Sequence, residues 1–232
     1  MTDVVDQTSG LSAQQIAFFE AFGFVHVHGL FVDDLPRIEA GFEEAFAAGD
    51  QIALDPDNAL HNTNYDGYDQ DIRTMVFGFI DHSDNLSWLR DDPRITAIVT
   101  SLIGPNFEYA ESDGNRFNCD VWFHSDVYGS SLANENLKLY FYLDELTEET
   151  GALRVFPGTH HLEGDHAQTL RGAFFRPGVV EDKFGMPQRD LPAYAIETRP
   201  GDMIVSNFRT LHGSFGGAVG RRLFTLNFKS VV

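Results

Sequence analysis

The chain has 232 residues, a size suited to one hydrophobic core, and its 43% hydrophobic and 13% aromatic content excludes a disordered protein. Its formal charge is −19, from 16 Lys and Arg against 35 Asp and Glu, a field that repels nucleic-acid phosphates and anionic membranes. The single cysteine, Cys119, excludes an intramolecular disulfide, the start is acidic without a signal-peptide pattern, and no run of about 18 apolar residues exists, so a reducing cytoplasm is the expected location.

Ser12 and Gln15 form a capping box ahead of Ile16, Phe19 and Phe22, and Gly23 closes that helix. Residues 24–28 alternate as a short strand. Asp33 or Asp34 opens a second helix with the apolar stripe Leu35, Ile38, Phe42, Ala45 and Phe46, stopped by Gly49. Residues 50–71 are polar and read as a loop. Asp92-Pro93 opens a third helix with Ile95, Ile98, Val99 and Leu102 on one face, ended by Gly104. From about residue 106 short β-like segments follow at 115–123, 137–143, 152–156, 194–198, 203–208 and 222–228, with Pro-Gly and Gly-Gly turns between them. That spacing predicts an antiparallel sandwich or jelly roll. No repeat or linker interrupts the chain, so 1–232 reads as a single domain, with a helical part about 1–105 packed outside a β core about 106–232. The 21 phenylalanines imply an aromatic core or an apolar pocket. Segment 159–193 is long and irregular, the form of a lid or binding loop. Its His160 and His161 are either packed structure or substrate contacts.

The chemistry concentrates in His124-Ser125-Asp126 and in the distant His212. Residues i and i+2 of a strand point to one side, so His124 and Asp126 can share an ion. A His-x-Asp pair with a second histidine is the ligand set of mononuclear non-haem iron, which leaves positions open for co-substrate and dioxygen. In Arg221-Arg222-Leu223-Phe224, one arginine of the pair turns inward, where its fork suits a carboxylate, and the other turns out. Spacing alone leaves Arg221 and Arg222 as alternatives. Strand parity makes Arg116, Asn118, Lys138, Tyr142 and Arg154 candidate cavity residues.

Three blocks then resemble the phytanoyl-CoA dioxygenase family of iron(II)/2-oxoglutarate oxygenases. They are Trp122-Phe-His-Ser-Asp126, the stretch from Leu143 through Thr150-Gly-Ala-Leu to Pro157-Gly-Thr-His160, and Pro200-Gly-Asp-Met-Ile-Val with His212-Gly-Ser214 and Arg221-Arg222. The run Phe19-Glu-Ala-Phe-Gly-Phe-Val is similar to that family's opening helix and strand. The resemblance implies a mainly β protein with a double-stranded β-helix (cupin-like jelly roll) core and flanking helices. It implies Fe(2+) held by His124, Asp126 and His212, 2-oxoglutarate held by Arg221 near Ser214, and O2 as oxidant. Tyr140 falls where many members have Trp, facing co-substrate or substrate. The implied reaction is hydroxylation, or another oxidation, of a small-molecule C–H bond with release of succinate and CO2. Asp126 disfavours halogenation, which needs a small residue at that position. A jelly roll that binds a metal or small ligand without redox chemistry is the alternative. Nothing in the chain identifies a CoA site.

Overall fold

A computed structural model describes residues 10–50, 52–53, 74–117, 120–127, 135–162, 185–216 and 220–231. Helix α1 (Ala13–Phe22) starts with the expected capping box, and Gly23 ends it in the left-handed region at φ 83°. Strand β1 (Phe24–Val27) follows, then α2 (Leu35–Ala48). Asp34 precedes α2 without capping it, because its carboxylate pairs with Arg94 at 2.8 Å. Gly49 ends α2 in extended rather than left-handed backbone. Strands β2 (Ile52–Ala53) and β3 (Thr74–Phe77) precede the short α3 (Asp84–Ser87) and α4 (Pro93–Ile103), where Asp92 accepts from Arg94 N. The remaining strands are β4 (Phe107–Phe117), β5 (Val121–His124), β6 (Asn136–Tyr142), β7 (Leu153–Val155), β8 (Tyr194–Ile196), β9 (Met203–Asn207), β10 (His212–Ser214) and β11 (Arg221–Ser230).

They build two antiparallel sheets, ordered β1-β9-β6-β11-β4-β3-β2 and β5-β10-β7-β8. The mainly β architecture with flanking helices is the expected one, with three differences. The segment read as one strand at 115–123 takes in the end of β4 and the first three residues of β5, which lie in different sheets. The three-residue β10 was not foreseen as a strand. The first hundred residues do not simply pack outside the sheet, since β1 extends one edge through β9 while β3 and β2 extend the other through β4.

The largest apolar cluster fills the space between the seven-stranded sheet and the helices. Phe141 and Phe224 stack at 4.6 Å, and Phe79 joins Phe224 to Phe42 and Phe46. Gly114 on β4 admits the Phe79 ring, since a Cβ there would stand 2.1 Å from Phe79 Cδ2. A smaller cluster lies around Phe24, Tyr140, Tyr142, Leu153, Val155, Ile196, Ile204 and Leu223, on the inward faces of the sandwich. Most of the described phenylalanines therefore build the core, while Phe18, Phe22 and Phe77 are exposed, and no described phenylalanine lines the small inter-sheet cavity described next. No helix among the described residues is long and apolar enough to cross a membrane.

Candidate metal centre

His124 ends β5 and His212 begins β10. The strands pair antiparallel with these residues opposite one another, which sets the imidazole centroids 4.4 Å apart. Gly213 permits the close approach: a Cβ there would stand 2.7 Å from Val121 O. Asp126 lies just beyond β5, tethered by its N–H to Phe208 O at 2.9 Å. One donor atom from each of His124, Asp126 and His212 lies within 4.8 Å of the other two.

The protonation pattern suits a cation. His212 Nδ1 lies 2.9 Å from Thr210 O, and a carbonyl only accepts, so Nδ1 carries the proton and Nε2 the lone pair. Tyr140 OH donates toward that Nε2 at 3.3 Å and accepts from Ser206 Oγ. Asp126 Oδ1 accepts from Lys138 Nζ at 2.9 Å. Its buried Oδ2 has no hydrogen-bond partner among the described residues and lies 3.7 Å from His212 Nε2. A buried carboxylate oxygen left this way is costly, and a shared metal ion would satisfy it. Two imidazole nitrogens and one carboxylate oxygen fit iron(II) with open positions.

Burial by itself would raise the Asp126 pKa, but Lys138, His212 and His124 outweigh it and hold the carboxyl well below its usual range. Burial keeps His212 below the ordinary imidazole value, against the pull of Asp126. Burial, reinforced by Asp126, pushes Tyr140 well above the usual phenol value, and Tyr142 is pushed up to about 12. Both phenols are therefore hydrogen-bond donors at neutral pH.

A cavity of about 50 Å³ opens here, lined by His124, His212, Lys138, Tyr140, Ser214 and Thr225 among others. Arg221 is 4% exposed and donates to Gly151 O and, at 3.4 Å, to Ser214 Oγ. Arg222 faces the other way, into Asp144 and Glu39 at 2.9 and 3.2 Å. Of the cavity residues expected from strand parity, Lys138 and Tyr142 line it. Arg116 instead reaches Glu43 and lies over the rings of Phe42 and Phe46, and Arg154 donates to Arg189 O and Glu148 O. Both sit one residue out of phase with the inward face. Asn118 and residues 163–184 lie outside the described residues. His160 and His161 both bond Glu20 O near the end of α1, where they satisfy an orphan helix carbonyl.

Sequence reasoning missed Asp113, Asn115 and Thr225. Thr225 Oγ1 donates to Asp113 Oδ2 at 2.6 Å, and all three line the cavity. The alternation Arg221, Leu223, Thr225 along β11 was the signal for Thr225. The β4 residues follow only from register, because Thr225 pairs with Asp113.

The sequence model of the phytanoyl-CoA dioxygenase family matches residues 19–222. No curated protein matches the chain by sequence. Among solved structures, the non-haem alpha-ketoglutarate-dependent carbocyclase SnoK from nogalamycin biosynthesis is 18% identical with a TM-score of 0.69, covering 95% of this chain and 84% of its own. HygX from Streptomyces hygroscopicus, solved with nickel and 2-oxoglutarate bound, is 16% identical with a TM-score of 0.67, over 96% and 88%. EctD from S. alaskensis with bound Fe is 21% identical with a TM-score of 0.62, over 95% and 77%. At these identities the structural likeness establishes the fold.

Proposed function

The chain belongs to the phytanoyl-CoA dioxygenase family of iron(II)- and 2-oxoglutarate-dependent oxygenases, and on that premise we propose that it hydroxylates a C–H bond of a small molecule. The observation that carries this reading is the His124, Asp126 and His212 set with its buried, unsatisfied carboxylate oxygen. Iron(II), 2-oxoglutarate and dioxygen supply the oxidation when bound, with succinate and CO2 released beside the hydroxylated product.

In this proposal His124 Nε2 or Nδ1, His212 Nε2 and Asp126 Oδ2 hold the metal. The Thr210 carbonyl fixes the His212 tautomer, and Lys138 orients the Asp126 carboxylate through Oδ1. Arg221, with Ser214 beside it, holds the distal carboxylate of 2-oxoglutarate, which a buried guanidinium suits by charge and fork geometry. Arg222 is committed to Asp144 and Glu39, which supports Arg221 in that role. Tyr140 OH reaches co-substrate or substrate from the cavity wall. Asp126 fills the carboxylate position, so hydroxylation is favoured over halogenation. The proposed working location is a reducing cytoplasm, supported by the single Cys119.

Purified protein with Fe(II), ascorbate, 2-oxoglutarate and a broad panel of small molecules should form succinate. No turnover with any of them, or turnover unchanged in His124→Ala, overturns the reading. Fe(II) binding without 2-oxoglutarate binding would instead identify a non-redox jelly roll.

A further inference from the structure

A second set of two histidines and a carboxylate lies far from the first in the sheet order, at the β1 edge of the seven-stranded sheet. His26 and His28 are two residues apart on and just beyond β1, so their side chains share one side. Their ring centroids are 3.8 Å apart. β1 pairs antiparallel with β9, with Val27 opposite Met203. Continued by one residue, that register sets Asp202 across from His28. Asp202 Oδ2 lies 3.0 Å from His26 Nε2 and 3.8 Å from His28 Nδ1. One donor from each of the three residues falls within 4.8 Å of the others.

The carboxylate is already fixed in place. Gly29 N–H donates to Oδ1 at 2.7 Å, and Arg199 N–H donates to Oδ2 at 2.9 Å. These bonds and His26 outweigh burial and keep the Asp202 pKa below its ordinary value, so an anion faces the two imidazoles. Burial is graded: the side chains of Asp202 and His26 are 9% and 14% exposed, and that of His28 is 77% exposed. One side of the cluster is therefore open to water. His26 and His28 also line a cleft of about 1270 Å³, with Glu148 and Glu197 on its wall. That cleft runs past Phe18, Phe24 and Tyr194 between β1 and β8 and includes no residue of the first cluster.

We propose that His26, His28 and Asp202 form a second divalent transition-metal site, of the zinc class, with water completing its coordination. Bonds of about 2.0–2.2 Å from imidazole nitrogen and carboxylate oxygen to one ion place donor pairs about 3 Å apart at right angles and further apart at wider angles. The 3.0 and 3.8 Å spacings fall in that range. Imidazole with carboxylate suits Zn(II), Ni(II) or Cu(II) better than Ca(II) or Mg(II). The bound ion ties β1 to the turn before β9 and so pins the edge strand of the larger sheet. The site stands independently of the oxygenase reading. A hydrogen bond from His26 Nε2–H to the Asp202 carboxylate, with His28 uninvolved, is the competing arrangement.

Equilibrium dialysis of the untagged full chain against Zn(II), with metal analysis, separates the two. Wild type should bind two equivalents. His28→Ala, a change at an exposed side chain, should weaken one equivalent by more than about 10-fold and leave the other unchanged. His124→Ala should keep the His28-dependent equivalent, and the double variant should keep neither. A wild type in which every bound equivalent survives His28→Ala unchanged overturns the proposal, whereas a single equivalent that is lost in His28→Ala and kept in His124→Ala upholds this site and counts against the first. The cobalt(II) visible spectrum gives a second readout, since bands from the second site should vanish in His28→Ala alone.

Discussion

Along β11 the side chains alternate between two buried environments. Phe224, Leu226 and Phe228 enter the apolar cluster under the helices. Arg221, Leu223, Thr225 and Asn227 lie on the opposite face, toward the four-stranded sheet, and all four are at most 5% exposed. β6 repeats the pattern, with Leu137, Leu139 and Phe141 on one side and Lys138, Tyr140 and Tyr142 on the other. Burial is nearly equal on both faces, but the chemistry is opposite. The helix side is a stack of aromatic rings that need no partners. The inner side adds, to a smaller apolar cluster, a chain of polar groups that do need them: Thr225 to Asp113, Lys138 to Asp126, Tyr140 to Ser206 and His212. Stability and site construction are thus assigned to the two faces of the same strands.

The division is tested by substituting each face in turn and measuring both properties. Phe224→Ala should cost about 3–5 kcal/mol in denaturant unfolding, with metal stoichiometry retained in the folded fraction. Its fully buried ring contacts Phe141 and Phe79. Arg221→Lys keeps the charge but loses the fork. It should raise the KM for 2-oxoglutarate roughly 10- to 100-fold, as expected for losing a charge-assisted hydrogen bond, with a much smaller change in the unfolding midpoint. Lys138→Met should weaken Fe(II) binding by about 10-fold or more, the usual cost of removing a partner that orients a ligand. Tyr140→Phe removes one hydroxyl, so kcat/KM should fall by about 10-fold at most. Arg222→Ala, on the outer face and half-screened by water, should cost less than about 1 kcal/mol and leave the KM for 2-oxoglutarate unchanged. A large 2-oxoglutarate effect from Arg222→Ala, or none from Arg221→Lys, would reverse the assignment of the two arginines.

The outer face was the more legible in the sequence. Periodicity exposes apolar stripes, so Ile38, Phe42 and Phe46 of α2 and Ile95, Ile98 and Val99 of α4 were found from spacing alone. The cap at Ser12 and the helix end at Gly23 were equally local. The inner face depends on register between distant strands, which no local pattern carries. Arg116 was placed inward when Asn115 occupies that side, an error of one residue that swaps every side chain. β10 escaped notice because His212-Gly213-Ser214 has no strand-like composition; pairing with β5 and β7 on either side makes it a strand. β1 was read correctly as a strand, but its pairing with β9, and hence the meeting of His26, His28 and Asp202, was not visible. The first cluster was legible because His124 and Asp126 are adjacent in sequence and the motif blocks around them are distinctive.

The most direct test of the central claim is anaerobic addition of Fe(II) and then 2-oxoglutarate, followed by visible absorption. Wild type should develop a metal-to-ligand charge-transfer band that saturates with 2-oxoglutarate. That band should be lost in His124→Ala, require more 2-oxoglutarate in Arg221→Lys, and persist in His28→Ala. No band in the wild type, or a band unchanged in His124→Ala, would contradict the assignment of His124, Asp126 and His212 as the iron site.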